Sequence, residues 1–495
     1  MKFFKSVIKT IEVAKQKFHL ILILVAFTLI SFSANNTRNT IYFKGKVTCN
    51  GEGIEGVAVT DGVSVVLTDK NGKYSFSGKP ETRFVYISTP SGYKVPVNKS
   101  VPQFYFELPP DKKKHIINFP LEKVPGDDAR HGFVVWADPQ VKTEKEVLLA
   151  KEVVNDLNNL LDNYPPDIQF HGLGCGDIIW DKPVLFDQIK DILEPAGIPF
   201  YQSMGNHDMH YNNRSNYLAP GVYQNHFGPD YYSFNRGEIH YVVLNNVFYI
   251  GRDYFYIGYL TEEQLSWLEK DLSLVEEGAT VVLTMHIPSA LNEQDLNQFS
   301  YSAIAQTTAN KKALYKILEP YNTHIISGHL HMNNNLEIAS NIFEHNVSAV
   351  CGAWWQGDYA EDGTPKGYAV FEVNGPELEW YYKSFGYDRD YQFRAYKAGE
   401  NPEQPEYITV NVWNRDSAWK VYWYENGEKI GEMEAYSGTD PETVKAYSDK
   451  ESLDYKWISA RKTGHMFRAK PKSLSAKISI EVIDRFGNSF KKTLQ

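Results

Sequence analysis

Five short polar motifs, each directly following a predicted strand, constrain the fold of this chain more than any other feature. In open α/β sheets, the polar groups that bind ligands collect at the carboxyl ends of the strands. Because all five motifs occupy such positions, we expect them to meet at one site. In chain order they are Ala137-Asp138-Pro139-Gln140, Gly176-Asp177-Ile178-Ile179-Trp180-Asp181, Gly205-Asn206-His207-Asp208, Met285-His286-Ile287-Pro288 and Gly328-His329-Leu330-His331.

Strand and helix patterns alternate between these motifs, which is typical of a βαβ domain. Short apolar runs predict the strands, and one-sided apolar periodicity predicts the helices. The predicted strands are 133–136, 168–170, 200–203, 241–244, 281–284 and 324–327. The predicted helices are 144–161, 184–193, 262–274 and 311–318.

The residue types in the motifs indicate a metal site. Carboxylate, amide oxygen and imidazole are ligands that suit borderline divalent or trivalent metals. A catalytic two-metal cluster needs a carboxylate between the ions and terminal ligands from several strands. Taken singly, each motif has a structural explanation, such as a turn or a hydrogen-bonded histidine. Their order and their common position at strand ends favour the metal site.

The motif order resembles the calcineurin-like metallophosphoesterase superfamily, whose pattern is Asp-x-His, Gly-Asp, Gly-Asn-His-Asp or Glu, His and Gly-His-x-His. The resemblance implies an α/β fold in which a β-sandwich is flanked by helices in four layers, α/β/β/α, with small all-β domains at both ends. More closely, the chain resembles an exported bacterial subgroup with a transthyretin-like N-terminal domain and a β-rich C-terminal domain.

This resemblance implies a role for each motif residue and a cofactor of two divalent or trivalent metal ions, with iron, manganese and zinc all open. The reaction would be hydrolysis of phosphomonoesters or phosphodiesters by attack of a metal-bound hydroxide on phosphorus. His207 would act as general acid or transition-state donor, and Asp208 would orient it. The implied metal ligands are Asp138, Gln140 and His331 for the first ion, Asp177 as the bridge, and Asn206, His286 and His329 for the second.

Gln140 departs from the superfamily pattern, because many members carry histidine at this position. A carboxamide oxygen is neutral and usually a weaker ligand than imidazole. The first metal would therefore be held more loosely than the second, or through a water. Around the motifs, Asp181 is a candidate partner of the site or a helix N-cap, and Arg214 is a candidate phosphate contact. Trp354 and Trp355 are candidates for the pocket wall, and the alternative for the pair is core or hairpin packing.

Two β-rich segments flank the central one. Residues 40–124 have short alternating strands and hairpin turns and resemble the transthyretin-like or carboxypeptidase-regulatory-like domain. The metallophosphoesterase domain is predicted over 128–385. Residues 388–495 return to a β pattern, with strands predicted over 407–412, 419–424 and 478–483 and a hairpin turn at Glu425-Asn426-Gly427.

The N-terminus is expected to be a cleaved signal peptide over residues 1–34. A basic stretch is followed by an apolar run over 20–30 and then by small residues. The run is shorter than the roughly 20 residues of a spanning helix, so no membrane span is expected after cleavage. We therefore expect an exported protein, and the resemblance to the bacterial subgroup implies a periplasmic or cell-surface location in a bacterium. Three widely spaced cysteines predict buried free thiols rather than disulfides: Cys49, Cys175 and Cys351.

The charge balance bears on partners. With 51 basic and 61 acidic residues, the net charge is −10, which disfavours nucleic acid because binding it needs a positive surface. A small phosphorylated substrate is expected, and the oligomeric state is left open. The alternative is a glycan-binding or partner-binding surface protein that keeps the phosphoesterase fold with weak catalysis.

Overall fold

The computed structural model of the protein describes residues 1, 40–110, 112–252, 255–291 and 300–494. Apart from Met1, the predicted signal peptide lies outside the described residues. Among the described residues, no helix is both long and apolar enough to cross a membrane.

The N-terminal part is a sandwich of short strands. One sheet has the order β2-β1-β11-β7, with β5 paired to β1, and the other has the order β10-β6-β3-β4. These labels denote β1 (Ile41–Cys49), β2 (Glu52–Gly53), β3 (Ala58–Thr60), β4 (Val65–Leu67), β5 (Lys73–Gly78), β6 (Phe84–Ile87), β7 (Tyr93–Lys94), β8 (Val97–Asn98), β9 (Val101–Pro102), β10 (Tyr105–Glu107) and β11 (Lys114–Lys123).

The central part contains the α/β elements. Its strands are β12 (Arg130–Trp136), β13 (Gln169–Gly174), β14 (Phe200–Gln202), β15 (Tyr232–Arg236), β16 (Ile239–Val243), β17 (Val247–Gly251), β18 (Phe255–Gly258), β19 (Thr280–Thr284), β20 (Asn322–Ser327), β21 (Asn334–Ala339), β22 (Ile342–Asn346), β23 (Gly367–Asn374) and β24 (Glu377–Ser384). Its helices are α1 (Glu144–Asp162), α2 (Phe186–Leu193), α3 (Gly221–Phe227), α4 (Glu262–Leu272), α5 (Tyr301–Gln306) and α6 (Lys311–Leu318).

These strands form two sheets that face each other. The first has the order β14-β13-β12-β23-β24 and the second β15-β16-β19-β20-β22-β21. The strands that carry the motifs are parallel to their neighbours, β12 with β13 and β14, and β16 with β19 and β20. Their carboxyl ends therefore meet at one edge of the sandwich.

Alternate residues of each strand enter different cores, which explains why these strands read as continuous apolar runs. Phe133 and Val135 of β12 pack between the two sheets. Val134 and Trp136 of the same strand pack under helices α1 and α2. Helices α4 and α6 cover the outer face of the second sheet. The four-layer α/β/β/α prediction is confirmed.

Helix α1 begins where the sequence predicts because Thr143 caps it. The Thr143 hydroxyl accepts from the Glu146 backbone N–H, and the Glu146 carboxylate accepts from the Thr143 N–H. Such a reciprocal capping box satisfies two backbone donors that no helical carbonyl can reach. Buried residues on one face then pack against the sheet, as the periodicity predicts.

The C-terminal part is a second β-sandwich, with sheet orders β25-β26-β30-β29 and β28-β27-β31-β32. The predicted hairpin turn joins β27 to β28, and Asn426 and Gly427 both have positive φ, as a tight hairpin requires. Its elements are β25 (Arg394–Tyr396), β26 (Ile408–Asn411), β27 (Lys420–Glu425), β28 (Glu428–Glu432), β29 (Glu434–Gly438), α7 (Pro441–Ala446), β30 (Thr463–Ala469), β31 (Ile478–Ile483) and β32 (Ser489–Thr493).

Candidate metal centre and active site

The five motifs meet at the carboxyl edge of the two sheets, and direct hydrogen bonds join them. The backbone N–H of Gln140 donates to the Asp177 carbonyl over 2.8 Å. The His207 N–H donates to Asp177 Oδ1 over 2.8 Å, and the His329 N–H donates to Asp138 Oδ2 over 2.9 Å. The predicted convergence on a single site is therefore observed.

One half of the site contains a compact set of four ligand side chains. Asp177, His286 and His329 each offer one ligand atom, and these atoms lie within 4.8 Å of one another. Nε2 of His286 lies 3.3 Å from Asp177 Oδ1 and 3.0 Å from Asn206 Oδ1. This is the set predicted for the second metal.

Hydrogen bonds outside the cluster fix which nitrogen of each histidine faces it. His286 Nδ1 lies 2.7 Å from the Cys175 carbonyl oxygen, and His329 Nε2 lies 3.2 Å from that of Ala305. A carbonyl only accepts, so each of these nitrogens carries a proton. The opposite nitrogens, which lie 3.1 Å apart, are left to face a metal.

The other half of the site contains Asp138, Gln140 and His331. His331 Nε2 lies 3.6 Å from Asp138 Oδ1. The Gln140 amide nitrogen donates to Asp177 Oδ2 over 3.0 Å. Asp138 Oδ1 and Gln140 Oε1 are buried and have no hydrogen-bond partner among the described residues. Two unpaired oxygens that point into a buried polar site fit a cation, because leaving them unpaired is otherwise costly.

The charges of the site are strongly coupled. Burial and the neighbouring Asp177 raise the pKa of Asp138 to about 8. Burial alone would raise the pKa of Asp177 too, but His286 and His207 hold it below its usual range. Burial and nearby histidines lower the pKa of His329 and of His331 to about 3. Burial lowers the pKa of His286, but the neighbouring Asp177 outweighs it and raises that pKa to about 9. These buried carboxyl and imidazole groups form a mixed oxygen and nitrogen donor set that suits a metal ion, whose binding would displace their protons.

The partner of His207 differs from the prediction. His207 Nδ1 lies 3.0 Å from Asp181 Oδ1, so Asp181, and not Asp208, orients the ring. The Asp208 carboxylate instead accepts the backbone N–H groups of Gly205, Ile178 and Ile179. Asp208 therefore joins two motif loops, and the prediction that it orients His207 is wrong. The alternative that Asp181 is an N-cap is also wrong, since Lys182 holds that position.

The backbone around the site is unusual. Non-glycine residues with positive φ are uncommon, and they cluster at functional sites where the surrounding structure holds them. Most such residues that the structure describes lie here. The site members are Asp138, Gln140, Asp177, Asp181, His329, His331, Trp354 and Trp355.

Aromatic residues from two domains form a wall beside the metal ligands. The Trp354 ring packs on His331 with ring centres 4.4 Å apart, and the Trp180 ring lies 5.7 Å from that of His207. Tyr455 packs on Trp180, and Trp457 packs on Trp354. The last two residues belong to the C-terminal segment, where no local motif points to the site, so the sequence could not reveal them.

Of the other residues that the sequence singled out, some lie at the site and others only support or lie away from it. Trp354 lies in the wall, but Trp355 is buried and donates its indole N–H to the Pro139 carbonyl over 2.8 Å, which anchors the first motif. Arg214 is exposed, and no described contact joins it to the site. The three cysteines are buried and free, as predicted.

Comparison with known families gives one consistent assignment. The model described as calcineurin-like phosphoesterase matches residues 134–333, its N-terminal companion matches 41–124 and its C-terminal companion matches 344–490. The chain belongs to the calcineurin-like phosphoesterase superfamily. Members of this family depend on two metals, and the protein is a hydrolase that acts on phosphoester bonds.

Among curated proteins, the chain is similar to the serine/threonine-protein phosphatase CPPED1 of Homo sapiens, with 27% identity over 241 residues, covering 43% of this chain and 74% of that protein. The same protein of Bos taurus is also 27% identical, over 235 residues, covering 43% of this chain and 70% of that one. Among solved structures, a dimetal phosphatase from Danio rerio is 15% identical with a TM-score of 0.39, covering 52% of this chain and 97% of that one. A purple acid phosphatase from yellow lupin is 13% identical with a TM-score of 0.38, covering 70% of this chain and 67% of that one.

Proposed function

We propose that this phosphoesterase is an exported enzyme that hydrolyses phosphate esters of small molecules at a pair of metal ions bridged by Asp177. The observation that carries the proposal is the position of the Asp177 carboxylate. Its Oδ1 lies 3.3 Å from His286 Nε2 in one half of the site. Its Oδ2 lies 3.0 Å from the Gln140 amide nitrogen in the other. A carboxylate between two ligand sets is what a two-metal site requires.

The residues fit two ions of iron, manganese or zinc. Asn206, His286 and His329 would complete one set, and Asp138, Gln140 and His331 the other. When bound, the metals would lower the pKa of a water and neutralise charge on the phosphoryl oxygens. The protein orients its imidazole ligands through the Cys175 and Ala305 carbonyls. It also supplies oxygens at Asp138 and Gln140 that no described residue satisfies.

His207 is the best-placed general acid in this scheme. Burial lowers the pKa of His207, but Asp177 and Asp181 raise it above its ordinary value. A protonated imidazole beside the metal ligands can donate to the oxygen of the departing alcohol. Its side chain is about a fifth exposed, so a substrate can reach the ring.

Export is supported by the basic and apolar sequence at the N-terminus. We propose a periplasmic or cell-surface location and a transthyretin-like fold for the N-terminal sandwich. Fractionation of expressing bacterial cells, with N-terminal sequencing of the mature protein, tests the location. Intact chain in the cytoplasmic fraction would contradict it.

The function is tested with Asp177→Asn. Purified protein is loaded with each candidate metal, its metal content is determined by elemental analysis, and hydrolysis of 4-nitrophenyl phosphate is followed. We expect metal-dependent hydrolysis by the wild type and a loss of at least about 100-fold in the variant, because the bridge is gone. Asp162→Asn, at the exposed end of α1, is the matched control. Unchanged activity in Asp177→Asn would overturn the two-metal proposal.

A further inference from the structure

The metal site borders a cavity of about 870 Å³ between the catalytic part and the C-terminal sandwich. His329, His331 and Trp354 line this cavity. So do Arg415 and Lys462 of the C-terminal sandwich, together with Arg461. The volume is that of a small-molecule binding site. The cavity thus places metal ligands and C-terminal cations around one space.

The charge of this cavity is opposite to that of the protein. The chain carries a net charge of −10, yet no acidic residue is among the described residues that line the cavity. Its lining holds three cations, Arg415, Arg461 and Lys462. Clefts lined by one sign of charge concentrate ligands of the opposite sign. The cavity therefore favours an anion beyond the phosphate held at the metals.

The Arg461 side is fixed to the catalytic part by Glu361. The buried Glu361 carboxylate accepts the Ser459 backbone N–H over 2.9 Å and pairs with Arg461 Nε over 2.7 Å. The Arg461 side chain is half exposed. The pairing through Nε thus orients the guanidinium without covering it, which suits a fork of N–H donors that binds an anion.

The Arg415 side is fixed by the loop that follows His331. The Asn335 amide donates to the Asn414 carbonyl over 3.0 Å, and His465 Nε2 lies 3.0 Å from the Asn333 carbonyl. Arg415 Nη1 donates to the Gly464 carbonyl over 3.1 Å. Residues directly after a predicted metal ligand therefore hold this wall in place.

We infer that the C-terminal sandwich supplies a subsite for a second anionic group on the substrate, bound by Arg415, Arg461 and Lys462. The inference rests on the proposed phosphatase function and names its substrate class: small organic phosphates that carry a second phosphate or a carboxylate. The C-terminal sandwich is then part of the substrate site and not only an appended domain.

A matched substrate series tests this subsite. We compare kcat/KM for phenyl phosphate, 4-carboxyphenyl phosphate and 1,4-phenylene bisphosphate with the metal-loaded wild type, Lys462→Met and Arg461→Gln/Lys462→Met. We expect the preference for the bisphosphate to be about tenfold, as for one good ionic contact, and to fall in the variants toward the roughly twofold preference that two equivalent phosphates give statistically. Lys472→Met, an exposed lysine outside the cavity lining, should keep the preference. Hydrolysis of 4-carboxyphenyl phosphate tells whether the single negative charge of a carboxylate suffices.

A binding measurement separates failure of the subsite from failure of the enzyme proposal. Neither phenylphosphonate nor 1,4-phenylenebisphosphonate is hydrolysed, so their binding can be measured by calorimetry. The difference in affinity between the two ligands reports the contribution of the second anion. We expect about tenfold tighter binding of the bisphosphonate by the wild type, and a fall of that difference toward the statistical value of about twofold in Lys462→Met. Equal binding of the two by the wild type, or an unchanged difference in Lys462→Met, would overturn the inference. Absence of metal-dependent hydrolysis with an intact binding difference would overturn the proposed function alone.

Discussion

His207 Nδ1 lies 3.0 Å from Asp181 Oδ1, and this contact ties the proposed general acid to the loop that follows β13. The two residues touch a second time, since the Asp181 backbone N–H donates to the His207 carbonyl over 3.3 Å. Asp181 has a positive φ, an uncommon backbone conformation for a residue other than glycine. The orientation of His207 therefore depends on a residue outside its own motif.

Replacing Asp181 with Asn should reduce kcat by about tenfold with little change in metal content, because the ring loses its charged partner. The loss should be larger for phenyl phosphate than for 4-nitrophenyl phosphate, since nitrophenolate leaves without needing a proton. Steady-state kinetics on both esters check this, with elemental analysis of the variant. Asp191→Asn, an acidic residue that pairs with Lys99 at the surface, is the control. An equal loss on both esters would show that Asp181 acts on folding or metal binding instead.

The sequence predicted the core of the fold because the relevant signals are local. The helix predicted over 144–161 is observed at Glu144–Asp162, and the helix predicted over 311–318 has the same bounds in the structure. Apolar periodicity and a capping threonine lie within one stretch of chain, so they predict a helix without any knowledge of its tertiary contacts. The convergence of motifs followed from the same local strand predictions.

The remaining features depend on contacts that local patterns do not encode. Trp354 and Trp355 are adjacent in sequence, yet one packs on His331 and the other pins Pro139. Tyr455 reaches the site because the C-terminal segment docks there, and one of the docking contacts is the Gln356 amide oxygen, which accepts the Asp454 N–H over 2.6 Å. Side-chain direction and domain docking are tertiary properties, so sequence patterns alone could not predict them.

Replacing Gln140 with Ala should weaken the first metal more than the second. Gln140 Oε1 is buried and has no described partner, so it is free to bind a cation. We expect the variant to lose one of two ions at chelator concentrations about tenfold lower than the wild type. Chelator titration with elemental analysis measures this. Gln169→Ala is the control, because the Gln169 amide nitrogen donates to the Pro166 carbonyl near the start of β13, away from the motifs. Loss of both ions together would contradict unequal sites.

Replacing Gly205 with Ala should damage the site through the backbone. An added Cβ at Gly205 would lie 2.0 Å from the Asp177 backbone nitrogen and 2.2 Å from Asp177 Oδ1, well inside contact distance. We expect a loss of about 2 kcal/mol in the free energy of unfolding and reduced metal binding. Gly431→Ala is the matched control, because an added Cβ there meets nothing within 4 Å. Urea unfolding measures the change in stability, and elemental analysis measures the metal content. A stable variant that binds metal normally would contradict the close packing of these loops.

Acid should destabilise the protein through histidines buried between the sheets. His131 on β12 lies 2.6 Å from the Tyr241 hydroxyl and 3.0 Å from the Asp128 carbonyl oxygen. Burial and the nearby Arg236 lower the pKa of His131 to about 3, against roughly 6.5 in an unfolded chain. Between these values the unfolded state binds one more proton, so the stability is present above pH 6.5 and is lost as the pH falls toward 3.

This residue alone should contribute a slope of about 1.4 kcal/mol per pH unit to the free energy of unfolding between pH 6 and pH 4. In His131→Gln the slope should be smaller by about that amount, while stability at pH 8 also falls because two buried hydrogen bonds change. Urea unfolding of chelator-treated protein at several pH values measures the slope without a contribution from metal release. His210→Gln, an exposed histidine, should leave it unchanged. An identical slope in His131→Gln and the wild type would show that His131 binds the same number of protons in the folded and the unfolded state, and would remove it as a source of acid sensitivity.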